Sequence, residues 1–253
     1  AAVPQQWLSW HYRSQDESLI AFSNLHYYEG RLSSFPAPGL GVGGGHSDRG
    51  LSLVRVGGVF ERSGKGKTLR TNRKEAEAIV EEIRRRFEAS PEAVPSIGVV
   101  TFNQQQRAFI EALIRDGGDT RIIEALDSTQ EEGLFIKNLE NVQGDERDVI
   151  LFSTAFSVNA NGVLPLNFGP LSLEGGERRL NVAITRARRQ VVLFTSFEPS
   201  QLRVEETKNV GVKHLRSYLE MADVGARALE SARLRRRDHD LHREDIASAL
   251  TER

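Results

Sequence analysis

An α/β fold with a mostly parallel sheet is what this sequence predicts, and three observations carry the prediction. The apolar runs "SIGVVTF" (Ser96 to Phe102), "DVILFSTAF" (Asp148 to Phe156) and "QVVLFTSF" (Gln190 to Phe197) are continuous rather than alternating. That is the pattern of strands buried on both faces. Apolar residues at helical spacing fill the stretches between them. Strand and helix patterns alternate along the chain, as in a parallel α/β sheet. The 253 residues suffice for one large domain or two small ones with a buried core. The net charge is −1, so any basic surface must be local. There is no cysteine, which excludes disulfides, thiolate zinc sites and cysteine nucleophiles and fits a cytoplasmic location. No apolar run is long enough to span a bilayer and no signal-peptide pattern is present, so no membrane partner is expected.

The elements follow in order. "AAVPQQWLSW" reads as the start of a piece cut from a longer chain. A helix is predicted from Asp16 to Tyr28. "PAPGLGVGGGHSDRG" (Pro36 to Gly50) is glycine-rich and reads as a mobile loop. Leu51 to Phe60 is a strand candidate. A helix follows, with Asn72 as its N-cap and Glu75 at the third helical position, close to a capping box. Its apolar face is Ala76, Ile79, Val80, Ile83 and Phe87. A second helix carries Phe109, Ile110 and Leu113, and others are predicted at Glu177 to Arg189 and Val212 to Met221. From Asp223 the chain turns polar and helical, with arginines and acids nearly balanced. The expected division is a domain over 1–222 and a helical linker over 223–253 that leads towards a further domain.

"ERSGKGKTLRTN" (Glu61 to Asn72) ends like a phosphate-binding loop, at Gly66-Lys67-Thr68. Such a loop needs a glycine five residues earlier, to leave its N–H groups free to wrap phosphate. Here that position is Glu61. The helix should also begin at the Lys-Thr pair, and instead it begins after Asn72. The stretch reads as a basic turn between a strand and a capped helix. Its lysines can reach a phosphate backbone, but a solvated turn is the simpler reading.

"GGERRLNVAITRARRQVVLF" (Gly175 to Phe194) predicts a helix bearing Asn181, Arg186 and Arg188 that runs into a buried strand. An arginine where a helix end meets a sheet edge is expected at the rim where α/β proteins bind ligands. Its fixed fork of donors suits phosphate oxygens. Taken alone, the stretch reads equally as a solvated arginine cluster. The six histidines are scattered without metal-ligand spacing; His239 and His242 sit beside acids in a charged helical stretch. No metal site is expected, and no Gly-x-Ser-x-Gly elbow occurs.

Four blocks in order change the balance: "LSWHYRSQDESLIAFSNLHYYEGRL", "IGVVTFNQQQ", "KNLENVQGDERDVILFS" and "RRLNVAITRARRQVVLF". Together, over roughly Leu8 to Ser196, they resemble the second RecA-like domain of superfamily 1 helicases, in particular the nonsense-mediated-decay helicases and their relatives. That group's blocks read like "QYRM", "ITPYxxQ", "VDxFQGxExD" and "RRLNVALTRAR". His11 and Ser14 depart from the first, and Phe102-Asn103 from the second. "TRTNRKEAEAIV" is similar to the group's "YYNxxEAxxV". Longer phrases resemble a bacterial subfamily of large multidomain helicase-related proteins.

The resemblance implies a RecA-like three-layer α/β/α fold with a mostly parallel sheet and a C-terminal helical extension. It implies that Arg186 is an arginine finger and Arg13 a second arginine for the γ-phosphate of ATP. Glu146 would bond the ribose hydroxyls, with Gln143 and Gly144 in the same loop and Arg188 as a further nucleotide-side candidate. Thr101, Gln106 and Asn138 fall where the family contacts the nucleic-acid backbone, Asn138 in place of the usual threonine. Arg179 and Asn181 would hold the last block in shape. ATP with Mg2+ would be bound mainly by a first RecA-like domain of the same polypeptide. The other partner would be single-stranded nucleic acid, with DNA ahead of RNA. No phosphate-binding loop and no "DExx" block precede these motifs, so this chain alone is expected to be inactive. The implied function is the motor half of an ATP-dependent helicase or translocase. The alternative is a noncatalytic RecA-like scaffold or nucleic-acid-binding module in a larger repair or defence protein. A stand-alone nucleotide-binding enzyme is a third possibility, weakened by the absent phosphate loop.

Overall fold

A computed structural model describes residues 9–34, 49–63, 66, 68–128 and 132–225. The first eight residues, most of the glycine-rich stretch, Lys65, Lys67 and residues 226–253 lie outside this description, and with them most of the expected linker, His239 and His242. The strands are β1 (Trp10–His11), β2 (Ser33–Ser34), β3 (Gly50–Arg55), β4 (Ile97–Thr101), β5 (Leu134–Asn138), β6 (Arg147–Ser157) and β7 (Ala187–Ser196). The helices are α1 (Ser18–Tyr27), α2 (Arg73–Glu88), α3 (Gln104–Asp116), α4 (Thr120–Asp127) and α5 (Gly176–Ile184). A further helix, α6, is described over residues 210–225.

The main sheet has five strands in the order β3-β7-β6-β4-β5, and every pairing is parallel. This is the predicted three-layer α/β/α class. The continuous apolar runs follow from burial on both faces. In β6, Val149 and Leu151 join the core under α2, α3 and α4, while Ile150 and Phe152 join the core under α1, α5 and α6. In β7, Val192 and Phe194 take the first side and Val191 and Leu193 the second. Each fully buried chain of this size contributes about 1.5–3 kcal/mol. Gly98 in β4 has no room for a side chain: an added Cβ would lie 2.3 Å from the ring of Phe135 in neighbouring β5.

Several boundaries differ from expectation. The strand expected to reach Phe60 ends at Arg55, and Phe60 only bridges Asn72. The helix expected to reach Arg189 ends at Ile184, where the Thr185 hydroxyl turns back onto the carbonyls of Asn181 and Val182. Pairing of β7 with β6 starts at Ala187, opposite Arg147, and overrides the helical propensity of the segment. Arg186 therefore lies in the connection and Arg188 in a strand. Helix α6 runs past Met221, where the sequence predicted its end; Asp223 is buried and takes a 2.6 Å bond from Arg55 of β3. The short strand β5 and helix α4 were not predicted.

Asn72 caps α2 as expected, accepting from the Glu75 N–H at 3.2 Å. The reciprocal half of the capping box is absent. The Asn72 N–H goes to Gln106 Oε1 at 2.8 Å, and Glu75 turns into the core. There Glu75 accepts from Ser153 Oγ (2.7 Å), Thr154 Oγ1 (3.1 Å) and the Ala155 N–H. It thus anchors an irregular stretch of β6 in which Ala155 has a φ of +66°. Burial pushes the Glu75 carboxyl up to about 8, against the pull of those three donors.

A carboxyl whose folded pKa is raised holds its proton more tightly in the folded state than in the unfolded one. The stability this adds is complete below its ordinary value of 4.5 and is lost as pH rises through about 8. Glu75→Gln keeps the shape and does not titrate. In thermal unfolding its melting temperature should rise relative to wild type between about pH 5 and 8. A constant difference across that range would show that Glu75 carries no proton.

Candidate nucleotide-facing edge

Parallel strands all start at one edge of the sheet. The pairing of Arg147 with Ala187 sets the preceding residues, Glu146 and Arg186, side by side there, and the Arg147 N–H donates to the Arg186 carbonyl at 3.1 Å. The segment after β1 is fastened to the same place. Gln15 donates its N–H to the Arg188 carbonyl at 2.7 Å, and Ser14 Oγ reaches the Ala187 carbonyl at 3.4 Å. Arg13 is delivered to Glu146 by these bonds, with Nε 2.6 Å from Oε2. Four predicted residues, Arg13, Glu146, Arg186 and Arg188, are thus brought together from three separated stretches.

The two departures in the first block meet each other. His11 Nε2 accepts the Ser14 N–H at 3.2 Å and lies 2.8 Å from Ser14 Oγ. Burial, then Arg13 and Arg186, lower the pKa of His11, so the ring stays a neutral acceptor that shapes the turn carrying Arg13.

The arginines differ in their partners. Arg188 is saturated: it bonds Glu132 through both terminal nitrogens (2.8 and 2.9 Å) and Asp148 through Nε (2.7 Å), and lies 3.5 Å from Glu146. Its hydrogen bonds hold Glu132 down at about 2, and Glu132 in turn holds Arg188 firmly charged. Arg186 is different. Its Nε donates to the Val182 carbonyl at 2.7 Å and Nη1 to the Asp145 carbonyl at 3.5 Å. Among the described residues no carboxylate lies within ion-pair distance of it. Burial lowers its pKa, and the neighbouring Arg13 adds to the effect. It is a half-buried cation among neutral oxygens, beside a second cation.

This edge is not the one expected. α/β sheets usually take ligands at the carboxyl ends of their strands. The arginines stand at the amino ends, because Arg186 precedes β7 rather than following it. Thr101 and Asn138, which close β4 and β5, and Gln106 near the start of α3 lie at the opposite edge, and all three are buried. Thr101 Oγ1 donates to the Asn103 carbonyl, and Gln106 holds Asn72 and Ser153. The backbone contacts that the resemblance assigns to these side chains are therefore not open to Thr101 and Gln106 in this arrangement. Asn138 Oδ1 is buried with no partner among the described residues. Gln143 and Gly144 are exposed on the segment from Leu139 to Glu146, which crosses from one edge to the other. Arg179 donates to the carbonyls of Pro170 and Glu174.

Sequence reasoning passed over three residues here. Glu132 and Asp148 saturate Arg188, and no local pattern announces them. Tyr12 is 80% exposed, next to Arg13. An aromatic beside a basic residue in "WHYR" was its available signal. Among the described residues no group of three or more His, Cys, Asp or Glu could hold a metal ion.

The fold and this edge define a class: a parallel α/β domain that presents arginines from the amino ends of its strands. The chain belongs to the AAA domain family (AAA_12), which matches residues 2–198. Two curated relatives are each 33% identical over 218 residues, covering 84% of this chain. They are an uncharacterized ATP-dependent helicase, MG140, of Mycoplasma genitalium and its homolog in Mycoplasma pneumoniae. The chain spans 18% of the length of each. A solved C-terminal domain of a possible DNA helicase from Lactobacillus plantarum WCFS1 gives a TM-score of 0.33 at 10% identity. It covers 49% of this chain and 68% of that one, a likeness too slight to add to the fold assignment.

The contrast between the two arginines predicts a difference in stability. Arg188→Ala should cost about 1–3 kcal/mol in urea unfolding, because it strips charged partners from Glu132 and Asp148. Arg186→Ala should change stability by no more than about 0.5 kcal/mol. Equal losses would contradict these roles.

Proposed function

We propose that this chain is the second RecA-like domain of an ATP-dependent nucleic-acid motor of the superfamily 1 type. It completes an ATP site held mainly by another domain of the same polypeptide. One observation carries the reading: Arg186 is a half-buried guanidinium with no carboxylate partner among the described residues, next to Arg13. Such a pair suits the γ-phosphate oxygens, where negative charge gathers during hydrolysis. Side chains at the amino edge can reach a nucleotide cradled elsewhere without enclosing it. The names of both relatives, ATP-dependent helicases, support the reading.

The roles follow. Arg186 acts as the finger on the γ-phosphate, and Arg13 as the second cation. Glu146 accepts from the ribose hydroxyls. Arg13 and Glu146 now hold each other, so nucleotide binding exchanges that ion pair for phosphate and ribose. The exposed ring of Tyr12 offers a face for the base. Arg188 fixes the edge and does not touch ATP. Mg2+ would be held by phosphates and the other domain, since no residues described here form a site for it. The chain alone does not hydrolyse ATP. The strand is single-stranded nucleic acid, and the protein is cytoplasmic; no described helix is long and apolar enough to cross a membrane. The burial of Thr101 and Gln106 is the observation that favours the alternative, a noncatalytic scaffold.

In the full-length protein, Arg186→Ala should lower strand-stimulated ATP turnover by about 10³-fold or more while leaving ATP binding largely intact. Tyr12→Ala should mainly raise KM. Unchanged function of the full-length protein in Arg186→Ala would overturn the finger role and favour the scaffold. Robust hydrolysis by the 253-residue chain alone would refute the division of the site between domains.

A further inference from the structure

The turn "ERSGKGKTLRTN" has no part in the nucleotide reading, and it lies at the opposite edge of the sheet. Its two arms run antiparallel, with Phe60 bridging Asn72. One step along, the Glu61 N–H donates to the Thr71 carbonyl at 2.9 Å and the Arg70 N–H donates to the Glu61 carbonyl at 2.7 Å. Arg70 and Thr71 together face the single Glu61. This is a β-bulge whose first residue takes the left-handed backbone, with Arg70 at φ +60°. Glycine suits that position best, because a side chain is strained there. The sequence has an arginine.

Arg62 stands beside Glu61 on the other arm. Its guanidinium donates to the carbonyls of Ser157 and, at 3.5 Å, Val158, and lies 5.4 Å from the centre of the Phe60 ring. Ser157 ends β6, so Arg62 fastens the turn to the carboxyl-terminal edge of the sheet. Burial among neutral partners lowers its pKa. The foot of the turn is held from below. Gln106 grips both backbone groups of Asn72, and Asn72 Nδ2 donates to Ser196 Oγ at 2.8 Å. Among the described residues neither Arg62 nor Arg70 has a carboxylate within ion-pair distance. From Glu61 to Asn72 the sequence holds four basic residues against one acid, in a chain whose net charge is −1.

We propose that Arg62 and Arg70 form a phosphate-contact site for single-stranded nucleic acid at the carboxyl-terminal edge, held in place by the buried Gln106–Asn72–Ser196 network. Gln106 is then a positioning residue for the strand and never touches it. The site rests on the strand-binding part of the function proposed above. It grips the sugar–phosphate backbone and reads no base. It lies across the sheet from Arg13 and Arg186, so strand and nucleotide do not compete for the same cations.

The test is fluorescence anisotropy of labelled oligo-dT and oligo-U with the 253-residue chain over a salt series. Arg70→Gly is the decisive variant, because it removes the cation and relieves the backbone at once. Its melting temperature should stay level or rise, while the slope of log K against log salt flattens by about 0.7. Arg62→Lys should keep the wild-type slope, and Arg62→Ala with Arg70→Gly should flatten it by about 1.4. The same flattening on both polymers supports a backbone contact. Oligonucleotide binding with an unchanged slope in Arg70→Gly and in the double variant overturns this proposal alone. No oligonucleotide binding by the wild-type chain overturns the strand-binding reading itself. Inorganic phosphate that displaces the oligonucleotide from wild type at concentrations too low to act through ionic strength would assign the site to free phosphate and overturn the proposal.

Discussion

The register between β6 and β7 governs the charged edge. Once Arg147 lies opposite Ala187, Glu146 and Arg186 must emerge next to each other, and Asp148 and Arg188 stand one step further in. The strap that carries Arg13 is bonded to the backbone of β7 at Ala187 and Arg188, so it too inherits its position from that register. A shift of one residue would turn each of these side chains to the opposite face. Such a shift would also move Val149, Ile150, Leu151 and Phe152 into the wrong cores. The pairing slips by one residue between Arg147–Ala187 and Val149–Gln190, so hydrophobic burial on both faces and that irregularity together set the geometry of the arginines.

Within that frame, charge is arranged unequally. Arg188 is wrapped by Glu132, Asp148 and Glu146, and its work is to stiffen the edge. Arg186 and Arg13 are left with a surplus of positive charge over their immediate partners. Half-burial makes this surplus costly in the absence of an anion and makes an arriving phosphate correspondingly favourable.

The opposite edge is built on a different principle. Beneath the turn that bears Arg62 and Arg70, buried polar groups are joined from Gln106 through Ser153 to Glu75, and they brace a stretch of β6 that departs from regular pairing. The stretch from Leu139 to Glu146 crosses between the two edges, leaving β5 at Asn138 and entering β6 at Arg147. Eight residues of backbone thus connect the two ends of the sheet.

The strands β4, β6 and β7 were legible in the sequence because both of their faces are buried, which leaves a continuous apolar run. The Asn72 cap of α2 was legible because it depends on residues three apart. The candidate nucleotide residues were legible through four ordered blocks and not through spacing or charge. The short strand β5 was not, since its five residues end in Lys137 and Asn138 and resemble a loop. The true end of α5 was hidden too, because "RRLNVAITRARR" favours helix throughout and only the partner strand stops it. The sequence by itself determined the fold class and which residue types were available for phosphate. Tertiary structure alone decided that Arg186 lacks a carboxylate among the described residues while Arg188 has three nearby, and that Gln106 faces the core. Those outcomes depend on partners far away along the chain, which only packing brings within hydrogen-bond reach.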